Sequence, residues 1–207
     1  MEHRDHMGNV GQLMAGDVQW MKAGSGVIHS EMPKQVEGRM RGFQLWVNLP
    51  AKHKMVAPKY QDIPAAQIPT VQEAGVAIRV IRGTYEETTG PAESLMPVRI
   101  LDVTVEAHAT WSITPNEGNT FFLCIHEGAI QTTDQNGGIQ VIAAPAVVTF
   151  DGLGDVHLSA TDVGANILYC EGTPLNEPIA SHGPFVMNTH SEIRQAVDDY
   201  NSGKLAT

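Results

Sequence analysis

His29 and Glu31 stand two residues apart at the end of Gly16-Asp17-Val18-Gln19-Trp20-Met21-Lys22-Ala23-Gly24-Ser25-Gly26-Val27-Ile28-His29-Ser30-Glu31-Met32-Pro33. Alternate side chains of a β-strand share a face, so a strand here presents an imidazole and a carboxylate together. That pair is half of a metal site. Imidazole and carboxylate suit first-row divalent ions, and two imidazoles with one carboxylate on one face leave coordination positions open for O₂ chemistry at iron. Taken alone, His-x-Glu is a weak signal that a satisfied core pair explains better. His3 and His6 are the nearby imidazoles, and their spacing points them to opposite faces of any strand, so at most one can face the same interior.

The elements that must position this pair are strands. A strand over Asp17–Lys22 runs into the turn Ala23-Gly24-Ser25-Gly26, and a second strand carries His29 and Glu31. Across the chain, 20 Gly and 12 Pro punctuate short runs rich in Val, Ile, Thr and aromatics, the pattern of an antiparallel all-β protein. Further strands are expected at Gly42–Asn48, Val76–Arg82, Val98–Val105, Ala109–Ile113, Thr120–His126, Gly128–Thr132, Ile139–Ile142, Ala146–Phe150, Val156–Ser159 and Asn166–Glu171. Asp134-Gln135-Asn136-Gly137-Gly138 reads as a hairpin turn, its Asn-Gly pair tolerating positive φ. Pro50, Pro58, Pro64 and Pro69 mark Leu49–Ala74 as a linker or wrapping segment between two β regions. One helix is expected: Thr189-His190-Ser191-Glu192 fits a capping box, Ile193, Ala196, Val197 and Tyr200 follow at helical spacing, and Gly203 ends it.

Composition narrows the function classes. The chain has 207 residues, 42% of them apolar, enough for a real core. Its formal charge of −10 carries no basic block, which argues against direct nucleic-acid binding. The longest apolar run, Val141–Phe150, is about half a membrane span, so no membrane association is expected. Met1-Glu2-His3-Arg4-Asp5-His6 is polar from the start and lacks a secretory apolar region, and the expected location is the cytoplasm. Cys124 and Cys170 fall in apolar strand-like runs and read as free, packed thiols rather than a disulfide or zinc pair.

The stretch Gly16–Pro33 resembles the second cupin motif as the pirin family writes it: Gly-Asp-x-Gln-Trp-Met, an Ala-Gly-x-Gly turn, then His-x-Glu-Met-Pro. Arg41–Pro50, Lys59–Pro64, Gly172–Ile179 and Gly183–Thr189 are similar to further pirin signatures in the same order, so the resemblance runs from about Glu2 to Leu205. It implies double-stranded β-helix (cupin) barrels arranged as a bicupin, with the C-terminal segment returning to the first barrel. In pirins three His and one Glu hold an iron-like ion in that barrel. The matching residues here are His29 and Glu31. The other two His belong to a His-x-His-Arg-Gly-Phe motif that would precede Glu2, so the resemblance implies an incomplete first barrel. The expected division is residues 1–50 as the remnant of the N-terminal cupin carrying half of the metal site, 51–95 as linker or wrapping segment, 96–172 as C-terminal cupin, and 173–207 as return segment and helix.

From this follow the functional expectations. The cofactor is one divalent metal, iron first with manganese, nickel or zinc as alternatives, held weakly by His29 and Glu31, since open sites ordinarily keep three protein ligands. His3 reads as an ordinary strand residue. The remaining imidazoles, His126 and His157 included, read as structural or solvent-facing. Trp20, Phe43 and Trp46 either line the first barrel's mouth or seal it, and Met14, Met21, Met32 and Met40 read as adaptable filling. The resemblance implies a quercetin 2,3-dioxygenase activity, opening a small aromatic flavonol with O₂ and releasing carbon monoxide, with Glu31 as the catalytic carboxylate that takes the flavonol proton. Such activity is expected to be low with two ligand histidines missing. The alternatives are a non-catalytic, metal-dependent transcriptional co-regulator or protein-interaction module, and a folded metal-free remnant. Unpaired strand edges in the first barrel predict self-association through Met1–Gly8 or Asp17–Lys22.

Overall fold

A computed structural model describes residues 1–34, 37–133, 136–150 and 154–205. Among the described residues, which also hold two short 3-10 turns at Ala51–His53 and Ala65–Gln67, seventeen strands and one α-helix follow in order. They are β1 (Glu2–Asp5), β2 (Val10–Gln12), β3 (Val18–Lys22), β4 (His29–Met32), β5 (Lys59–Ile63), β6 (Thr70–Glu73), β7 (Val76–Arg82), β8 (Thr84–Tyr85), β9 (Thr88–Thr89), β10 (Val98–Val105), β11 (Thr110–Ile113), β12 (Thr120–Thr133), β13 (Ile139–Ala143), β14 (Ala146–Thr149), β15 (Val156–Gly172), β16 (Ala180–His182), β17 (Phe185–Met187) and α1 (His190–Asn201). They divide between two units, one of Met1–Ala65 with Leu175–Thr207 and one of Ala66–Pro174. No helix among the described residues is long and apolar enough to cross a membrane.

The second unit is an eight-stranded antiparallel sheet in the order β13-β12-β15-β10-β7-β6, with β11 added to β15 and β14 to β12. Its strands alternate cleanly. Val76, Ile78 and Val80, then Leu101, Val103 and Val105, Trp111 and Ile113, Leu123 and Ile125, and Ile167 and Tyr169 bury one face each into a single core. The long strands β12 and β15 serve two layers because they turn a corner: the register slips around Glu127–Ile130, where Gly128 and Gly164 adopt φ of +73° and +71°. A Cβ on Gly128 would lie 2.0 Å from the Gly164 carbonyl oxygen, so the close approach excludes any side chain. This corner joins the strands expected separately at Thr120–His126 and Gly128–Thr132, and likewise Val156–Ser159 and Asn166–Glu171.

One carboxylate lies in this core and is fully served. Glu171 is 3% exposed and accepts from Arg99 Nε at 2.7 Å, Tyr169 Oη at 2.8 Å, the Asn116 N–H at 2.7 Å and Asn119 Nδ2 at 2.7 Å. Burial works to raise its pKa. The hydrogen bonds from Asn119, Asn116 and Tyr169 and the Arg99 charge outweigh it and hold the carboxyl below its ordinary value.

The first unit is built from smaller sheets: β2-β1-β4, β3-β5 and β16-β17. Helix α1 starts as expected, with Thr189 Oγ1 accepting from the Glu192 N–H and the Glu192 carboxylate accepting from the Thr189 N–H. The C-terminal segment is tied to the N-terminal residues, since Glu177 accepts from the Ala51 N–H at 2.7 Å and Leu205 packs where a Cβ on Gly26 would stand.

The segment 51–95, expected as a linker or wrapping segment, carries strands that join ladders of both units. β5 pairs with β3, and β6 and β7 form the sheet edge beside β10 in the second unit, whose boundary therefore lies near residue 66 rather than 96. Pro58, Pro64 and Pro69 lie just outside β5 and β6, so these short strands keep their ladder donors. Gly42–Asn48, expected as a strand, is not assigned to one among the described residues; Phe43 and Trp46 are 51% and 65% exposed. Met14, Met32 and Met40 are likewise exposed rather than core filling. In the expected hairpin turn Asp134 and Gln135 lie outside the described residues, while Gly137 has φ of +79°.

Candidate metal centre

The register of the β2-β1-β4 sheet decides which side chains meet. Across β1 and β4, His3 stands opposite Glu31 and Asp5 opposite His29. Residues directly opposite share a face, as do residues two apart, so His3, Glu31, His29 and Asp5 all project to one side. Imidazole and carboxylate donor atoms of His3, His29 and Glu31 lie within 4.8 Å of one another. His29 Nε2 is 4.0 Å from Glu31 Oε1, and the His3 and His29 ring centroids are 5.4 Å apart. Glu31 Oε2 accepts from Gln44 Nε2 at 3.4 Å, which leaves Oε1 turned to the imidazoles.

The third residue of the cluster is one of the two nearby imidazoles between which sequence spacing did not choose. His3 is 2% exposed, and its Nε2 is buried without a hydrogen-bond partner. Tyr60 of β5 covers its ring, centroid to centroid 5.2 Å. Burial, with the Asp5 carboxylate nearby, pushes the Tyr60 phenol up to about 12. Asp5 in turn shapes the β1–β2 turn, accepting from the Met7 and Asn9 N–H groups at 2.9 Å each. On the far side of His3 stands Gly11. A Cβ there would come within 3.1 Å of Asp62 Oδ2, so the missing side chain admits Asp62, which accepts from Gln19 Nε2 at 3.0 Å. His3, Gln19, Tyr60, Asp62, Met7 and Val10 border a cleft of about 390 Å³.

Of the other residues singled out from sequence, His6 is not in the cluster, and its Nδ1 accepts from the Ile28 N–H at 3.3 Å. His126 and His157 lie on β12 and β15 in the second unit and join no cluster of metal-type donors among the described residues. His157 Nδ1 is engaged with Ser112 Oγ at 2.8 Å. Trp20 is half-buried on β3 and does not border the cleft. The donor set of two imidazoles and one carboxylate fits a first-row divalent ion, and the orphaned, buried His3 nitrogen is the atom that most requires a partner.

Comparison with known proteins agrees in both units. The pirin C-terminal cupin domain matches residues 100–206 and the pirin family model matches residues 1–47. A Pseudomonas aeruginosa protein named as a candidate quercetin 2,3-dioxygenase is 42% identical over 214 residues, covering 100% of this chain and 73% of that protein. A pirin-like protein of Caulobacter vibrioides is 38% identical, with 99% and 73% covered. Among solved structures, a quercetin 2,3-dioxygenase from Acinetobacter baumannii superposes with a TM-score of 0.84 at 34% identity, covering 100% of this chain and 72% of that one.

Proposed function

The chain belongs to the pirin family of cupin proteins, and from that membership we propose that it is a metal-dependent dioxygenase of the quercetin 2,3-dioxygenase type, acting on flavonols. The observation that supports this reading is the convergence of His29 and Glu31 with a further imidazole beside a cleft. His29 and Glu31 would hold the ion, iron first among the first-row metals. A divalent ion held there would supply Lewis-acid activation of the flavonol's adjacent keto and hydroxyl oxygens. In the overall reaction both atoms of O₂ enter the ring-opened ester, and the hydroxyl-bearing carbon leaves with its own oxygen as carbon monoxide.

The chain's own contributions are binding and proton transfer. Glu31 accepts the proton of the flavonol hydroxyl, its other oxygen steadied by Gln44 Nε2. His29 serves as a neutral imidazole. The cleft beside His3 has the volume of a small-molecule site, with Tyr60, Gln19, Asp62, Asn9 and Lys59 among its polar residues and Met7, Val10 and Pro58 among its apolar ones. A cytoplasmic location accompanies this reading, supported by the free thiols Cys124 and Cys170.

The test is to load the protein anaerobically with Fe²⁺, add quercetin and O₂, and follow flavonol absorbance and released carbon monoxide. Turnover in the parent, falling at least a hundredfold in Glu31→Gln, supports the reading. Stoichiometric metal with no carbon monoxide for iron, manganese, nickel or zinc overturns it in favour of a non-catalytic binding role.

A further inference from the structure

We infer that His3 is a metal ligand in its own right, so that an ion in this centre clamps strand β1 to strand β4. The inference rests on the reading of His29 and Glu31 as ligands and adds a residue to it. Three independent observations carry it. First, the ladder places His3 directly opposite Glu31, on the face that also carries His29. Second, His3 is almost fully buried, yet its Nε2 has no hydrogen-bond partner. A phenylalanine could pack against Tyr60 without burying an unpaired nitrogen, so packing alone does not account for a histidine here. Third, Nε2 on an imidazole is the atom through which histidine most readily binds first-row metals.

The distances are those of an open site that closes on a ligand. Ligand atoms about 2.0–2.2 Å from a shared ion stand roughly 3 Å apart. The donor atoms here lie within 4.8 Å of one another, so small χ rotations at His29 and Glu31, both with partly accessible side chains, would bring them onto a fixed His3. The buried imidazole is then the anchor and the two exposed side chains are the arms. Two imidazoles and one carboxylate on one face would leave further coordination positions for other ligands, and His3 itself borders a cleft.

The test counts nitrogens and measures affinity rather than turnover. Cu²⁺ is bound to the parent, to His3→Phe and to His29→Ala, and pulsed electron paramagnetic resonance reports the number of coordinated imidazoles. Ni²⁺ affinity is measured by calorimetry on the same proteins. His3→Phe preserves the packing against Tyr60, and His3→Gln repeats the test with a polar side chain; far-ultraviolet circular dichroism shows whether each metal-free variant is folded. The expected result is two imidazoles in the parent and one in each variant, with Ni²⁺ affinity falling at least tenfold. Two imidazoles and parental affinity in a folded His3→Phe or His3→Gln, with loss in His29→Ala, overturn the role of His3 and leave the function reading standing. A parent that takes up neither ion overturns both.

Discussion

Replacing Glu171 by Gln should destabilise the second unit strongly. The side chain of Glu171 is fully buried and that of Arg99 is 12% exposed. The carboxylate accepts four hydrogen bonds through its two oxygens, Arg99 and Tyr169 on one and Asn116 and Asn119 on the other. An amide can satisfy only one of these sides. Its NH₂ must face either Arg99 or the Asn pair, donor against donor. The guanidinium then keeps only the Thr114 carbonyl at 2.9 Å and the Tyr169 hydroxyl at 3.3 Å. Breaking a buried ion pair by removing one partner costs about 3–5 kcal/mol. In a domain of about a hundred residues that lowers the melting temperature by roughly 12–20 °C. Near-ultraviolet circular dichroism of the thermal transition is the assay. The double variant Arg99→Met/Glu171→Gln should recover part of the loss, since it removes the stranded charge. The pH dependence has a definite sign. Because the folded carboxyl titrates below its ordinary value, its contribution is complete above that ordinary value and drains away as pH falls through the lower folded one. The gap between parent and Glu171→Gln should therefore be widest near neutrality and close in strong acid. A loss under about 1 kcal/mol at neutral pH, or a gap unchanged in acid, would refute the assignment of this network as a stabilising ion pair.

Two further outcomes follow from the sheets. Gly128→Ala should destabilise the second unit by more than about 2 kcal/mol, since it adds a backbone contact to the left-handed strain, whereas Gly118→Ala, at φ of +79° with nothing near its Cβ, should cost only the strain of about 1–2 kcal/mol; equal losses in urea titrations would show that the β12–β15 corner is not tightly closed. Strands β2 and β4 are the outer strands of their sheet among the described residues, so the protein should self-associate by edge pairing; a monomer mass at every concentration in sedimentation equilibrium would exclude this.

The second unit was legible because its strands are long, alternate strictly and bury one face, so Val76–Arg82 and Val98–Val105 could be bounded to the residue. The capping box of α1 was legible for a similar reason, being chemistry local to Thr189 and Glu192. What escaped were strands whose existence depends on a partner. β5 and β6 sit among prolines in polar surroundings and form only because β3 and β7 offer them ladders. Conversely, Gly42–Asn48 has the composition of a strand but joins none of the ladders among the described residues.

The same distinction separates the candidate ligands. His29 and Glu31 share a face by sequence spacing alone, which needs no partner strand, so that pair could be read directly. His3 belongs with them only through the antiparallel register of β1 on β4, and sliding that register by one residue would send its imidazole to the opposite face. Spacing could therefore say that His3 and His6 exclude one another but not which of them faces inward. The contacts that choose lie at the strand ends: Asp5, the last residue of β1, and Asn9 close the β1–β2 turn, and the His6 N–H donates to the Ile28 carbonyl at 2.9 Å, a backbone bond that joins the end of β1 to the start of β4. Once His6 is held there, the alternation along β1 carries His3 inward, beneath Tyr60 and opposite Glu31.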